Sequence, residues 1–369
     1  MAHTIEDLRI KQKLPLDIKV NMTKQRIREW VEHYGIDGVY VSFSGGKDST
    51  VLLTIARELY PDIKAVFVDT GLEYPEIRQF VKTWDNVDWI KPKMTFKQVI
   101  EKYGYPFISK EVSSVVAETC SYIDRQTPNN KSRSAILNEL YGKTKLPVRA
   151  LQLLGKLPHK SKGEYSGEYS LLYNKSKWLF LLDAGFKVSN KCCNVMKKAP
   201  AHAYDKETGR VPMTAQMADE SLQRQSQWLQ NGCNGFDLKQ PISNPMSFWT
   251  EQDVLKYIKD NDIKICSVYG DIVPSYDNTE ELDGQMDIAD LGLSEDTRKL
   301  KTTGCDRTGC MFCGFGCHLE KEGKGRFERM KKTHPKQYEF IMKPREQGGL
   351  GYKEVIDWIN EHGDLHIRY

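Results

Sequence analysis

GVYVSFSGGKDSTVLLTIARELY, residues 38–60, is the most informative segment of this sequence for its fold. Its first six residues (38–43) form a short apolar run with β-branched side chains, which is typical of a buried strand. Residues 48–60 space their apolar side chains as a helix does, and Pro61 ends that helix. Two adjacent glycines lie between these segments. The sequence therefore predicts a strand, a tight turn and a helix in immediate succession.

Two further strands follow at similar spacing. IKAVFVD (63–69) is a second apolar strand, EYPEIRQFVKTW (73–84) a helix and VDWIKP (87–92) a third strand. Strands that alternate with helices indicate βαβ units, so we predict an α/β fold with a Rossmann-like parallel sheet and flanking helices. Ligands bind such sheets beyond the carboxyl ends of the strands, where Ser44 and Asp69 both lie.

Changes in composition divide the rest of the chain. We predict a helical N-terminal segment that ends at Gly35 and a nucleotide-binding α/β domain that contains a basic, partly helical insertion lying over the sheet. A C-terminal region with a Cys-rich metal motif and a terminal helix follow. The predicted bounds are 1–35 for the first segment, 36–240 for the α/β domain with its insertion at about 125–177, 241–345 for the Cys-rich region and 346–369 for the last helix.

Charge is distributed unevenly along the chain. The 54 Lys and Arg nearly balance the 50 Asp and Glu, so any attraction to nucleic acid must come from local patches. Residues 321–345 hold nine Lys and Arg against three Glu, whereas residues 271–296 hold nine Asp and Glu without Lys or Arg and are expected to form a solvated loop. The insertion carries 11 Lys and Arg against three Glu, with four interspersed tyrosines: Tyr141, Tyr165, Tyr169 and Tyr173.

The sequence also bounds where the protein works. There is no apolar run of 18 residues, and the charged first 20 residues lack the apolar core of a signal peptide, so no membrane contact and a cytoplasmic location are expected. In a reducing compartment the nine cysteines are not expected to form structural disulfides. Clustered cysteines then indicate metal or thiol chemistry.

The turn Ser-Gly-Gly-Lys-Asp-Ser (44–49) has the parts of a phosphate-binding loop, although its adjacent glycines do not fit the Walker A pattern. Gly45 and Gly46 allow a tight turn and a close approach of the backbone to a ligand. The N–H groups at the start of the following helix favour an anion. Lys47 adds positive charge, and Asp48 either caps the helix or holds Mg²⁺. The alternative interpretation is a plain glycine turn, but its place between a strand and a helix of a βαβ series favours phosphate binding.

Two segments of this sequence, residues 44–49 and 67–77, resemble motifs of a known superfamily. SGGKDS resembles the S-G-G-x-D-S loop of the N-type ATP pyrophosphatases (the PP-loop, or adenine nucleotide alpha hydrolase, superfamily). FVDTGLEYPEI (67–77) is similar to the corresponding segment of the phosphoadenosine phosphosulfate (PAPS) reductase family. That family includes the adenosine phosphosulfate (APS) reductases and the sulfur-activating enzymes of DNA phosphorothioation. The resemblance covers roughly residues 36–320.

The resemblance implies an adenine nucleotide, either ATP with Mg²⁺ or APS or PAPS, on this loop. Asp69 and Thr70 would lie near the nucleoside. The phosphates or sulfate would be bound by Ser44, Gly45, Gly46, Lys47, Asp48 and Ser49.

Two groups of cysteines indicate a metal. Cys192 and Cys193 are adjacent, and four cysteines lie within thirteen residues: Cys305, Cys310, Cys313 and Cys317. The local group suits Zn²⁺ in a tetrahedral thiolate site. A composite site of Cys192, Cys193, Cys310 and Cys313 resembles the [4Fe–4S] site of APS reductases, which combine a C-C-x-x-x-K-x-x-P segment with a later C-x-x-C. We favour the cluster, with Lys197 as a cation beside cluster and substrate.

The sequence departs from the reductases at two points. No cysteine follows Cys317, whereas the reductases carry a nucleophilic cysteine near their C-terminus. The composite site leaves Cys305 and Cys317 as candidate sulfur-carrying thiols, and His318 as a ligand, a general acid or a surface residue. The second departure is that the arginine-rich segment of the reductases has no counterpart in this chain. Residues 213–228 stand there instead, and Glu220, Ser221 and Arg224 are candidate substrate contacts or simply a polar helix face.

Three functions follow as hypotheses. The first is an ATP pyrophosphatase that adenylates an acceptor, tRNA or DNA, for sulfur transfer, with Lys47, Asp48 and Cys317 as catalytic residues. A sulfur donor protein such as a cysteine desulfurase would then be its partner. The second is an APS or PAPS reductase that releases sulfite, with thioredoxin as its partner. The third is a non-catalytic nucleotide-sensing module, which would tolerate the change Asp48→Asn.

Overall fold

The computed structural model describes residues 3–126, 131–159, 167–275 and 299–369. Tyr165 and most of the predicted acidic loop at 271–296 lie outside these residues. The chain divides into two compact units. The first unit comprises Met1–Pro92 and Ala199–Gly309, and the second comprises Lys93–Lys198 and Cys310–Tyr369. The domain boundaries expected from composition stay a prediction.

The elements are numbered in chain order. The helices are α1 (Ile5–Gln12), α2 (Leu16–Tyr34), α3 (Lys47–Leu59), α4 (Pro75–Val81), α5 (Phe96–Tyr103), α6 (Lys110–Gln126), α7 (Arg133–Leu140), α8 (Val148–Leu154), α9 (Lys191–Cys193), α10 (Ala199–Thr208), α11 (Leu222–Asn231), α12 (Glu251–Asp260), α13 (Arg326–Thr333), α14 (Pro335–Met342) and α15 (Tyr352–Gly363). The strands are β1 (Val39–Ser42), β2 (Ala65–Val68), β3 (Val87–Ile90), β4 (Phe107–Ile108), β5 (Val211–Met213), β6 (Asn234–Gly235), β7 (Ile242–Ser243), β8 (Ile272–Pro274), β9 (Leu300–Thr302) and β10 (Gly314–Phe315). Short 3₁₀ helices lie at Ile36–Gly38, Ser176–Asp183, Ala218–Glu220, Ser267–Tyr269, Cys317–Leu319 and Arg345–Gln347, and a π-helix lies at Asn194–Lys198.

The first unit contains a six-stranded sheet in the order β3-β2-β1-β5-β7-β6. Neighbouring strands are parallel except for β6, which runs antiparallel to β7. In the register, Val41 of β1 lies opposite Ala65 of β2, so the two strands end side by side. This mostly parallel sheet, flanked by helices, confirms the predicted α/β fold class.

The apolar run of residues 38–43 forms β1, a central strand of the sheet. Val39 and Val41 of β1 are fully buried, and Phe67 of β2 is nearly so. Leu52 and Ile55 of α3 join them in one hydrophobic core. A parallel strand covered on both faces needs apolar side chains at consecutive positions, which explains why the run does not alternate with polar residues.

The other predicted elements lie close to their expected places. The helices and strands between residues 38 and 92 are confirmed, each within a few residues. The N-terminal segment is two helices separated at Pro15, and Gly35 follows α2 with a φ of +76°. Helices α7 and α8 confirm that the basic insertion is partly helical, and α15 is the predicted terminal helix. No helix in the described part of the chain is long and apolar enough to cross a membrane.

In the second unit, β4 and β10 form a two-stranded parallel sheet that positions the C-x-x-C segment. Gly314 lies opposite Phe107, and a Cβ at Gly314 would lie 2.6 Å from the Phe107 ring. The buried hydroxyl of Tyr352 donates a 2.6 Å hydrogen bond to the carbonyl of Phe312. The backbone around the cysteines is therefore fixed from two sides.

Candidate functional site

The turn between β1 and α3 requires glycine at position 45. Gly45 has a φ of +71°, and a Cβ there would lie 2.7 Å from Val81 Cγ2 and 2.9 Å from Ile77 Cγ2 of α4. A side chain at this position would meet both the backbone strain of the left-handed region and a clash. Gly46 is the N-cap residue of α3 and makes no side-chain cap, and Asp48 lies inside the first turn of the helix. The alternative role of Asp48 as a helix cap is therefore wrong.

Several backbone N–H groups of the turn and of the start of α3 are left without acceptors among the described residues. The Ser44 and Ser49 hydroxyls lie 3.0 Å apart, and the N–H of Gly46 donates to Ser44 Oγ over 3.3 Å. Within the described part of the chain, the backbone N–H groups of Gly45, Asp48 and Ser49 have no hydrogen-bond acceptor. Such N–H groups at the positive end of a helix dipole form an anion-binding site.

Lys47 is held by carboxylates in the interior. Its side chain is 2% exposed, and Nζ lies 3.1 Å from Asp48 Oδ1 and 3.2 Å from Glu251 Oε1. Burial acts to lower the pKa of Lys47, but the two carboxylates outweigh burial and raise the pKa above its ordinary value. Glu251 is the first residue of α12, and the sequence analysis did not identify its contact with Lys47. The contact of Lys47 with phosphate stays a prediction.

A second missed contact joins the turn to the segment after β9. The N–H of Lys47 donates to the hydroxyl of Tyr269 over 3.1 Å, and that hydroxyl lies 2.6 Å from Thr308 Oγ1. Burial is the main cause that raises the pKa of Tyr269, so this hydroxyl is neutral at physiological pH. A Cβ on Gly46 would lie 3.2 Å from the Tyr269 hydroxyl and 3.3 Å from Thr308 Oγ1. Both hydroxyls therefore lie directly against the turn.

The predicted candidates Glu220 and Arg224 lie near the loop. They form a close ion pair, and Arg307 Nη1 lies 3.7 Å from the same Glu220 carboxylate. Burial, followed by the charge of Arg307, lowers the pKa of Arg224, and the charge of Asp48 opposes this. Thr308, the residue after Arg307, contacts the Tyr269 hydroxyl that accepts the N–H of Lys47, so the cluster lies beside the loop. Ser221 instead caps α11 by accepting a hydrogen bond from the N–H of Arg224.

Asp69 and Thr70 follow β2, the strand next to β1. Asp69 Oδ2 accepts a 2.8 Å hydrogen bond from Arg78, and Oδ1 accepts a 3.3 Å bond from the N–H of Gly71. The Thr70 hydroxyl donates to Glu73 Oε1 over 2.6 Å. These contacts fix a compact turn beside the loop, at the sheet edge where the sequence predicted the nucleoside.

The four cysteines of the predicted composite site all belong to the second unit. The thiols of Cys192 and Cys193 are hydrogen bonded, and the charges of Cys310 and Cys313 act on Cys192. Cys310 and Cys313 form a turn closed by a 3.1 Å backbone hydrogen bond. Arg326 donates to the carbonyl of Cys313 over 2.7 Å. No disulfide joins any of the nine cysteines, all of which lie in the described residues.

One of these thiols is poised to ionise. The hydrogen bond from Cys192 and the charges of Lys110, Lys197 and Lys198 lower the pKa of Cys193, whereas burial opposes this effect. The same hydrogen bond and burial raise the pKa of Cys192. Lys197 thus lies beside the thiol pair, within the π-helix that follows α9.

Four cysteine thiolates are the usual ligands of a [4Fe–4S] cluster, and the predicted composite site offers four cysteines. The charges of Lys110, Lys197 and Lys198 act on one of them, Cys193, and the cluster itself stays a prediction. Across the described ranges, no three His, Cys, Asp or Glu side chains are placed to hold one metal ion. A tetrahedral zinc would need sulfur atoms only about 3.8 Å apart. Cys305, a member of the alternative zinc group, is buried in the first unit.

Cys317 and His318 lie in the 3₁₀ helix Cys317–Leu319, in which only Cys317 is buried. Cys317 Sγ donates to the carbonyl of Gly314 over 2.9 Å, and burial raises the pKa of this thiol to about 12. His318 packs edge-on against Trp178, with ring centroids 5.4 Å apart. Its Nδ1 is buried without a hydrogen-bond partner in the described chain, and burial is the main cause that lowers its pKa.

A parallel α/β sheet whose first strand runs through SGGKDS into a helix is the defining arrangement of the PP-loop superfamily. The family model of the PAPS reductase domain matches residues 38–132 and 148–314. Because the match covers well over half of the chain, the chain belongs to the PAPS reductase family. Enzymes of this family carry out nucleotide-dependent sulfur chemistry.

Individual proteins add short or distant similarities. Two uncharacterised proteins of Methanocaldococcus jannaschii are 38% and 40% identical over 73 residues. Each match covers 18% of this chain and 18% or 15% of that relative, less than a fifth of its length. The crystal structure of PAPS reductase from Candida auris, in a phosphate complex, is similar over 72% of this chain and 91% of that chain, at 14% identity. Its TM-score of 0.35 is too low to support an inference.

Proposed function

We propose that this protein is an ATP pyrophosphatase that adenylates an acceptor for sulfur transfer. The observation that carries the proposal is the row of unpaired N–H groups at the start of α3, in a turn that only glycine can form. Such a turn suits the phosphates of an adenine nucleotide. Arg224 and the buried Lys47 add positive charge close to the same turn.

The reaction would be an attack at the α-phosphorus. An acceptor oxygen forms the new bond to that phosphorus, the bond to the bridging oxygen of the β-phosphate breaks, and pyrophosphate leaves with the electron pair. The acceptor proton passes to water. Asp48, whose side chain is 29% exposed, offers the oxygen ligand that Mg²⁺ prefers. The loop donors would stabilise the charge that develops on the leaving phosphates.

The composite cysteine site would hold a [4Fe–4S] cluster through Cys192, Cys193, Cys310 and Cys313. When bound, such a cluster supplies electrons or a site for sulfur. Cys317 is not assigned as the sulfur carrier, because its thiol is buried and its raised pKa disfavours the thiolate. The sulfur would instead come from a donor protein that carries a cysteine persulfide.

A nucleic acid, tRNA or DNA, is the acceptor that we propose. The insertion presents a basic surface with exposed aromatic rings, which suits phosphates and stacked bases. The Tyr141 and Tyr169 hydroxyls lie 3.0 Å apart, and Lys156 Nζ lies 4.8 Å from the centre of the Tyr169 ring. Leu171 and Tyr173 are exposed beside them in sequence.

A sulfonucleotide reductase is the second candidate. The adjacent Cys192 and Cys193 together with the later C-x-x-C segment support it, because this combination resembles the APS reductases. Such an enzyme would release sulfite from APS or PAPS and would need a thiol reductant such as thioredoxin. The lack of a cysteine after Cys317 opposes this candidate.

The test is product release by anaerobically purified protein. One sample receives ATP, Mg²⁺ and tRNA or DNA, and the other receives APS or PAPS with a thiol reductant. We expect pyrophosphate in the first and no sulfite in the second. Asp48→Asn should lower pyrophosphate release by at least about a hundredfold, whereas the exposed control Asp62→Asn should not change it.

Sulfite without pyrophosphate would replace the proposal by the reductase. ATP binding without either product, unchanged in Asp48→Asn, would indicate the nucleotide-sensing module.

A further inference from the structure

Two guanidinium groups share one carboxylate beside the loop. The Glu220 side chain is only 14% exposed and lies between Arg224 and Arg307. Arg307 Nη1 is 3.7 Å from Glu220 Oε1, which is too long for a hydrogen bond. The Arg307 side chain is 57% exposed, so its donors are available to a ligand.

The two positive charges are also close enough to repel each other. The charge of Arg307 lowers the pKa of Arg224, because each guanidinium destabilises the charged form of the other. A bound anion would remove this cost. The charge of Asp48 acts on the pKa of Arg224 in the opposite direction and raises it.

The segment that carries Arg307 is fixed against the loop. Thr308, the next residue, lies 2.6 Å from the Tyr269 hydroxyl, and this hydroxyl accepts the N–H of Lys47. The N–H of Gly304 also donates to the carbonyl of Tyr269 over 2.8 Å. These contacts hold both ends of the short segment against Tyr269, so the backbone of Arg307 lies beside the turn.

We propose that Arg307 and Arg224 form an anion subsite that binds the terminal phosphates of the nucleotide, the group that leaves as pyrophosphate. Each guanidinium carries five N–H donors in a planar fork that matches phosphate oxygens. Two such groups suit a diphosphate better than one sulfate. This assignment rests on the proposed function of the loop and adds a specificity-determining residue that the sequence motifs did not identify.

Calorimetric titration of the whole protein with three ligands tests the subsite. The ligands are inorganic pyrophosphate, ATP and AMP, each with Mg²⁺. We expect Arg307→Gln to weaken pyrophosphate and ATP binding by about tenfold or more, since hydrogen bonds to charged groups are lost, and to leave AMP binding within about twofold. Arg307→Lys should recover part of the loss. Arg28→Gln, which removes the same charge from an exposed position on α2, is the matched control.

The outcomes separate the subsite from the proposed function. An equal loss for AMP and ATP, or no loss in Arg307→Gln, would overturn the subsite. So would a wild-type protein that does not bind pyrophosphate. Pyrophosphate binding that depends on Arg307, in a protein that does not bind ATP, would leave the subsite standing and overturn the ATP pyrophosphatase.

Discussion

Gly45→Ala tests the geometry of the loop directly. The φ of +71° places a new side chain in the left-handed region, at a cost of about 1–2 kcal/mol. The methyl group would lie 2.7 Å and 2.9 Å from methyl groups of Val81 and Ile77, an overlap that adds about 1–3 kcal/mol. Alanine returns about 0.4–1 kcal/mol by restricting the unfolded chain. The free energy of unfolding should therefore fall by about 3 kcal/mol.

Gly209→Ala is the matched control for this substitution. Gly209 has a φ of +70°, but a Cβ there would meet nothing within 4 Å. It belongs to the same unit, between α10 and β5. This variant pays only the conformational cost, and its free energy of unfolding should fall by about 1 kcal/mol or less.

Urea denaturation of the two variants and the wild type measures the difference. The midpoints should be compared only where the slopes agree, so that the change reports stability. We expect a gap of about 2 kcal/mol between the variants, together with weaker ATP binding in Gly45→Ala alone. Equal losses in the two variants would refute the close packing of the turn on α4.

Two further predictions concern charge and metal. Lys47 has a raised pKa in the folded state, so its ion pairs stabilise the fold below its ordinary pKa of 10.5, and this contribution is lost as the pH rises through the folded value. Glu251→Gln should lower the free energy of unfolding by about 1 kcal/mol at pH 7, a modest amount because the Glu251 side chain is 39% exposed. The unfolding midpoint of this variant should approach that of the wild type well above pH 10.5. A difference in midpoint that does not change with pH would contradict this prediction. Cys193→Ser should abolish bound iron and sulfide after anaerobic reconstitution, whereas Cys120→Ser on α6 should not; equal iron content in both would exclude Cys193 as a ligand.

The strands and helices around the loop were predictable because each is encoded locally. The buried run before Ser44 and the helical spacing after Lys47 appear within one short window of sequence. Gly45 was likewise recognisable, since adjacent glycines between a strand and a helix indicate a turn. Of the two roles left open for Asp48, the helix cap is wrong, because an Asp near a helix start suits several positions and the helix begins one residue earlier, after Gly46.

The residues that sequence reasoning missed come from distant segments. Glu251 lies 204 residues after Lys47, and its only local signal is the capping box that Thr250 and Asp253 form at the start of α12. Arg307 and Thr308 stand within a stretch that was recognised for its cysteines alone. No motif connects either of them to the loop.

The α/β class, the glycine turn and the two groups of cysteines could be recognised from local sequence. Each depends on residue types at short, fixed spacing, which restrict the backbone wherever they occur. The folded structure adds the pairing of Lys47 with Glu251 and the contact of Tyr269 with the turn. It also brings Arg224 and Arg307 to the same Glu220 carboxylate. These contacts join segments far apart in the chain, and packing of the sheet, rather than local sequence, brings them together.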